Sequence, residues 1–114
     1  NVVLYVTKDY LAENEATVKA FTTAFIEGWN LYKDSYEEIN KLVQKDNPDI
    51  ELASLKFEAE AQEQFVYGMD AAENGVGFMT EQRWATLIEQ LHDLELLDET
   101  FDAKEIFTTD YLPE

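Results

Sequence analysis

The chain has 114 residues, 46% apolar and 13% aromatic, a composition that indicates a globular protein and excludes a disordered one. Twenty-five acidic residues against eight basic ones give a net charge of −17, which disfavours binding to nucleic acid or to an anionic membrane surface. The absence of cysteine excludes disulfides, thiolate metal sites and cysteine nucleophiles.

The chain shows no linker, repeat or composition shift, so residues 1–114 are predicted to form a single domain or a fragment of one. No apolar run reaches the ~18 residues of a membrane span, so no membrane insertion is expected. The first residue is Asn1 rather than Met, as expected of a processed or trimmed piece.

The opening NVVLYVT, residues 1–7, is rich in β-branched and aromatic residues, which predicts a buried strand. A strand must pair the N–H and C=O groups of its backbone. No second strand pattern occurs in the chain, so the partner would lie outside it. A dimer formed through Val2–Val6 is one such arrangement.

A helical turn is predicted after Thr7, and Asn14 is positioned to cap the helix that follows. Apolar residues three and four apart give this helix one broad inward face. The face consists of Val18, Phe21, Phe25, Trp29 and Tyr32. Gly28, beside this face, would allow a neighbouring element to cross closely.

Ser35 and Glu38 have the spacing of a capping box, which predicts that a new short helix begins there. It should end near Lys45, because Pro48 disfavours a helical Asn47. A third helix is predicted from Ile50 to Met69. Its inward residues are Leu52, Leu55, Ala59, Val66 and Met69, and its outward acids are Glu51, Glu58, Glu60 and Glu63.

Thr80 is a good N-cap for a fourth helix, and Asp102 with Glu105 forms a further cap pair near the end of the chain. The apolar face of the fourth helix consists of Trp84, Leu87, Ile88, Leu91 and Leu94. The predicted fold class is therefore mainly α, with one N-terminal strand followed by about four helices.

No arrangement of residues predicts a catalytic, metal or cofactor site, and the chain is not expected to be an enzyme. Glu89 and His92 have the spacing found in di-iron bundles, but such a site needs further His and Glu ligands and the chain has one His. An enzyme would have to show metal or activity that depends on His92. The acidic stretch 46–51 fails the calcium-loop pattern, since Pro48 and Ile50 occupy ligand positions.

The loop NGVGF, residues 74–78, is neither a P-loop nor a dinucleotide-binding loop, because the following Lys and the third Gly are missing. Its glycines favour a tight joint between two helices over a ligand cradle. Asn74 and Met79, near the start of the fourth helix, are the two candidates for the rim of a ligand site.

Four segments together resemble the last part of a family of ABC-importer solute-binding proteins. They are LYVTKDYLAEN, TVKAFTTAFIEGW, ENGVGFMTEQRW and DAKEIFTTDYLP, which occur in the family's order, and the likeness extends over essentially the whole chain. The family belongs to the type II periplasmic binding proteins and serves uptake of thiamine pyrimidine precursors, riboflavin, nitrate and alkylsulfonates. Relatives often carry Pro where Glu15 stands and Gly where Glu95 stands.

The resemblance implies a periplasmic or other extracytoplasmic protein with two α/β lobes that close on a small-molecule ligand without chemistry. This chain would be the last segment of the first lobe, with its strand near the hinge, and would be inactive alone. The implied partner is an ABC permease, or a signalling output domain in sensor relatives. An independent acidic helical interaction module is the alternative from a different class.

Overall fold

The structure, a computed structural model, describes residues 3–114. It contains five α-helices and one short 3₁₀ helix, with no β-strand among these residues, so the mainly helical class is confirmed. The predicted N-terminal strand is wrong for residues 3–7, which are irregular, and Asn1 and Val2 lie outside the described residues. Tyr5 is 94% exposed, because no other described segment lies alongside to pair with this backbone.

Helix α1, Lys8–Glu13, begins where the Thr7 hydroxyl accepts a hydrogen bond from the backbone N–H of Tyr10 at 3.2 Å. Asn14 follows α1, and its side-chain amide donates to the backbone carbonyl of Tyr10 at 3.1 Å. Asn14 therefore closes α1 and makes no capping bond to the next helix, which corrects its predicted role.

Helix α2, Glu15–Asp46, is the longest element and is kinked at Ser35, where φ is −132° and ψ is 17°. The kink confirms the position of the predicted break, although the helix resumes at once. Aromatic rings line one side of α2, with successive centroids 5.7 to 6.3 Å apart. These rings are Phe21, Phe25, Trp29, Tyr32 and Tyr36.

Helix α3, Leu52–Val66, runs antiparallel to α2, as two hydrogen bonds between them show. The Tyr67 hydroxyl, just after α3, donates to the carbonyl of Trp29 at 2.6 Å, and the Tyr36 hydroxyl donates to the carboxylate of Glu60 at 3.3 Å. Because α3 ends at Val66, Met69 lies beyond it and is 64% exposed, which corrects its predicted inward position.

The remaining elements are α4, Asp70–Asn74, α5, Glu81–Asp93, and a 3₁₀ helix, Ala103–Glu105. Thr80 accepts from the backbone N–H of Arg83 and Asp102 accepts from that of Lys104, so both predicted caps are confirmed. On the apolar face of α5 Ile88 is buried, whereas Leu94 is 68% exposed. The sequence did not predict α4, which is a single turn.

The molecule exposes far more surface than a compact monomer of its size. Its accessible surface is 9026 Å² and its radius of gyration 16.7 Å. A folded monomer of 13.2 kDa has about 6,400 Å² and about 13 Å. Within the described residues the buried apolar side chains are Ile26, Ala59, Ile88 and Ala103. Much of the apolar surface therefore has no cover within residues 3–114.

Candidate functional site

The loop 74–78 connects α4 to α5 through two glycines with left-handed backbones, Gly75 at φ 91° and Gly77 at φ 88°. A residue with a Cβ loses roughly 1–2 kcal/mol at such a φ, so the glycines allow the chain to turn twice. The loop ends at Thr80, whose hydroxyl caps α5. The sequence-based prediction of a tight joint between helices agrees with this geometry.

Gly77 lies where three distant parts of the chain meet. A Cβ placed on it would be 3.3 Å from Cδ1 of Ile26, in the middle of α2, and 3.3 Å from Cδ2 of Leu112 near the end of the sequence. These distances are tighter than ordinary van der Waals contact, so the position requires a residue without a side chain. We call the loop 74–78 together with Ile26 and Leu112 the interhelix joint.

Contacts around α5 hold the interhelix joint in place. The Arg83 guanidinium lies 3.2 Å from the carboxylate of Asp70 and ties the start of α5 to α4. The indole N–H of Trp84 donates to the Met79 sulfur at 3.4 Å, and its ring stacks on Phe107 with centroids 6.1 Å apart. The ion pair is exposed and contributes at most ~1 kcal/mol, so the aromatic packing is the larger stabilising contact.

The two predicted rim residues are not brought to one site. Asn74 is exposed and donates its amide to the backbone carbonyl of Asp70 at 3.1 Å, within α4. Met79 instead packs against Trp84. Asn74 does border a cleft of about 250 Å³ beside the interhelix joint. The cleft is lined by Ile26, Asn30, Asn74, Gly75, Val76, Leu112, Pro113 and Glu114.

A second cavity, of about 330 Å³, lies between α2 and the end of α3, and sequence reasoning missed it. At the edge of this cavity, the Lys33 ammonium lies over the Tyr67 ring, 5.2 Å from its centroid. Burial, followed by the neighbouring Tyr32 and the charges of Asp34 and Glu63, raises the pKa of the Tyr67 hydroxyl, which keeps it neutral as a donor to Trp29. The sequence predicted that Glu60 and Glu63 lie on the solvent-exposed face of their helix. No spacing pattern in the sequence predicts that Lys33 of α2 lies beside them.

His92 lies on the exposed surface of α5 with its Nδ1 4.0 Å from the carboxylate of Asp93. In the part of the chain that the structure describes, no cluster of three or more His, Asp or Glu side chains could hold a metal ion. None of the helices within residues 3–114 combines the length and apolar character needed to cross a membrane. These observations identify no reactive group around His92.

Comparison of the chain with protein-family models, with curated proteins and with solved structures found no match. The resemblance drawn from the sequence therefore stays a prediction.

Proposed function

We propose that this chain is the last segment of the first lobe of a type II periplasmic binding protein that captures a small molecule for an ABC importer, without catalysis. The ligand class is a thiamine pyrimidine precursor, riboflavin, nitrate or a sulfonate. The protein works in the periplasm or another extracytoplasmic space. An ABC permease, or a signalling output domain in a sensor version, reads the ligand-bound form.

The convergence of three segments at Gly77 is the observation that carries the proposal. Ile26 belongs to TVKAFTTAFIEGW, Gly77 to ENGVGFMTEQRW and Leu112 to DAKEIFTTDYLP, the segments on which the resemblance rests. Separate segments can each resemble a family without lying in contact in the folded chain. Their contact at a position that tolerates only glycine supports the inference that they were selected together, as parts of one packed unit.

The backbone at Glu95 gives further support. Its φ is 56°, the left-handed conformation in which glycine is favoured and a residue with a side chain is strained. Relatives in the proposed family often carry glycine at this position. The structural requirement at residue 95 therefore agrees with the residue type that the resemblance leads one to expect there.

The exposed apolar surface fits a segment that works as part of a larger body. The 9026 Å² of accessible surface exceeds that of a compact monomer by about 2,600 Å². The cleft at Asn74, about 250 Å³, is below the usual range of roughly 300–1,000 Å³ for ligand pockets. We place most ligand contacts outside this chain, with Asn74 at the rim and Met79 as a packing residue.

In this proposal the ligand acts by its differential affinity for two arrangements of the protein. It binds between two lobes and stabilises the closed form, and the permease or output domain responds to closure. The contribution of this chain is a rigid helical wall, held by the interhelix joint. No proton transfer and no bond rearrangement is required of its residues.

Titration calorimetry in two parts tests the proposal, and the first part uses the 114-residue chain alone. A pyrimidine precursor, riboflavin, nitrate and an alkylsulfonate are each titrated, and none should give a micromolar or tighter signal. In the second part the product of the full reading frame that contains the chain is titrated with the same four compounds. One of them should bind with micromolar affinity or better.

Micromolar binding by the chain alone would contradict the proposal that most ligand contacts lie outside this segment. A full reading frame that encodes no two-lobe α/β protein would overturn the family assignment itself. The exposed apolar faces and the net charge of −17 favour a second candidate in that event, an independent acidic helical module that binds a protein partner.

A further inference from the structure

Three asparagines at the C-terminal ends of helices make the same kind of hydrogen bond. The side-chain amides of Asn14, Asn47 and Asn74 each donate to the backbone carbonyl four residues earlier, at 3.1, 3.5 and 3.1 Å respectively. They differ in the residue that follows, which is glutamate, proline and glycine in turn. The local hydrogen bond is therefore shared by the three positions, while the chemistry open to each side chain is not.

The residue after an asparagine decides whether the side chain can react with the backbone. The next backbone nitrogen can attack the side-chain amide carbon and close a cyclic succinimide. A side chain on the attacking residue hinders this approach, proline has no N–H to lose, and glycine offers an unhindered nitrogen. Gly75 is exposed, and a Cβ placed on it would meet no atom within 4 Å. Of the three positions, Asn74 is therefore the one at which the reaction is least hindered.

We propose that Asn74 is a site of spontaneous deamidation, in which the backbone nitrogen of Gly75 displaces the side-chain amide when the last turn of α4 opens. A bond forms between the Gly75 nitrogen and Cγ of Asn74, and the bond from Cγ to Nδ2 breaks. The amide nitrogen leaves as ammonia, because it takes up the proton that the Gly75 nitrogen loses. Water then opens the ring at either carbonyl and leaves aspartate or isoaspartate at position 74.

Two hydrogen bonds restrain the reacting groups in the folded chain. The Gly75 N–H donates to the carbonyl of Ala71 at 2.9 Å, and the Asn74 amide donates to that of Asp70 at 3.1 Å. The Gly75 nitrogen can lose its proton and reach Cγ only after these bonds open. Helix α4 has five residues and none of them is buried, so its opening lies at the low end of local stability. The rate of deamidation should therefore follow the opening of this turn.

Deamidation changes the interhelix joint. A carboxylate at position 74 only accepts hydrogen bonds, so it cannot replace the bond to the Asp70 carbonyl, and its charge repels that oxygen. Isoaspartate also lengthens the backbone just before Gly75, whose φ of 91° begins the turn that brings Gly77 to Ile26. The reacted chain should therefore hold its joint less tightly and unfold more easily than the unreacted chain.

Peptide mass spectrometry of the chain after incubation at mildly alkaline pH tests the proposal. Trypsin puts Asn14, Asn47 and Asn74 on separate peptides, because lysines lie between them, and a sample without incubation corrects for reaction during digestion. The peptide of Asn74 should gain the mass of –OH in place of –NH₂, and the other two should stay unchanged over the same period. In urea the reaction at Asn74 should be roughly ten- to a hundredfold faster, because the two hydrogen bonds no longer restrain it.

Two variants measured in urea test the role of the following residue without any effect of folding. Gly75→Ala should lower the rate at Asn74 to near that at Asn14, and Glu15→Gly should raise the rate at Asn14 to near that at Asn74. An incubated folded chain without deamidation at Asn74, or variants that leave both rates unchanged, would overturn the site. Equal rates at Asn74 in the folded chain and in urea would overturn its control by α4.

Thermal unfolding tests the effect on the interhelix joint. Anion exchange separates the reacted chain, which carries one more negative charge, and this fraction should unfold at a lower temperature than the unreacted one. Equal midpoints would overturn the loosening of the joint. The deamidation goes beyond the proposed solute-binding function and does not depend on it, because no small molecule enters these measurements. A chain that deamidates at Asn74 while its full-length parent binds none of the four compounds would refute only the solute-binding function, and the reverse outcome would refute only the deamidation.

Discussion

The interhelix joint and the pair of helices α2 and α3 are built from the same kinds of residue, yet they are packed very differently. At the joint, Ile26 is 5% exposed and lies against a glycine loop and the end of the chain. On the helix pair, Phe57 and Leu31 remain 71% and 64% exposed. The joint is completed by contacts within this chain, whereas the outer sides of the helix pair need cover that residues 3–114 do not supply.

Truncating Ile26 and Leu31, both on α2, should give the largest difference between the two regions. Ile26→Ala removes methyl groups that contact the loop at Gly77, and it should lower the free energy of unfolding by about 2–5 kcal/mol. Leu31→Ala removes atoms that already face solvent, and it should change that free energy by no more than about 0.5 kcal/mol. Urea unfolding followed by tryptophan fluorescence measures both.

Equal losses from the two variants would contradict the comparison. A loss of several kcal/mol at Leu31 would mean that its side of α2 is covered in solution. Repeating the measurement over a range of protein concentrations then identifies the cover, because stability that rises with concentration requires association of copies.

A pair of glycine substitutions gives the next largest effect. Gly77→Ala forces a Cβ into a left-handed backbone, a loss of about 1–2 kcal/mol, and adds crowding against Ile26 and Leu112. Gly28→Ala, in the interior of α2, meets no atom within 4 Å and should stabilise the chain by about 0.5–1 kcal/mol through higher helix propensity. Thermal unfolding by circular dichroism should show shifts of opposite sign.

A destabilising Gly28→Ala would indicate that another element lies against α2 in solution, at the place where the sequence suggested a close crossing. A neutral Gly77→Ala would indicate that the loop can relax away from α2. The glycine substitutions thus test the contrast at the level of the backbone, as the Ile26 and Leu31 pair tests it at the level of side chains.

The sequence predicted the features that depend on local chemistry. Thr80 and Asp102 cap the helices they were expected to cap, since each hydroxyl or carboxylate bonds a backbone N–H two or three residues away. Ser35 marks the kink of α2. The turns at Gly75 and Gly77 were also expected, because glycine, which has no Cβ, adopts positive φ without a steric penalty.

Features that depend on distant neighbours were not predictable in the same way. The strand at residues 3–7 was wrong because β-rich composition does not provide a pairing partner. Met69 and Leu94 fit apolar periodicities but are exposed, since periodicity marks a face without showing what covers it. The contact of Gly77 with Ile26 and Leu112 joins residues far apart in the chain, and spacing carries no information on such pairs.

Glu95 is a place where sequence and backbone geometry disagree, and it gives the smallest predicted effect. α5 ends with the N–H of Leu96 bonded to the carbonyl of Leu91 and the N–H of Glu95 bonded to that of His92, each at 2.9 Å. This is the Schellman arrangement, in which glycine is strongly preferred at the position of Glu95. Glu95→Gly should therefore raise the free energy of unfolding by about 0.5–1 kcal/mol.

Glu95→Ala separates the two reasons for that gain. Both substitutions remove a negative charge from the C-terminal end of a helix, where it opposes the helix dipole. Only glycine also relieves the strain of the 56° φ. Thermal unfolding should therefore rank glycine above alanine and alanine near glutamate. If the two variants are equally stable, charge rather than backbone conformation is the cost at this end of α5, and the agreement between Glu95 and the glycine of the proposed family loses its physical basis.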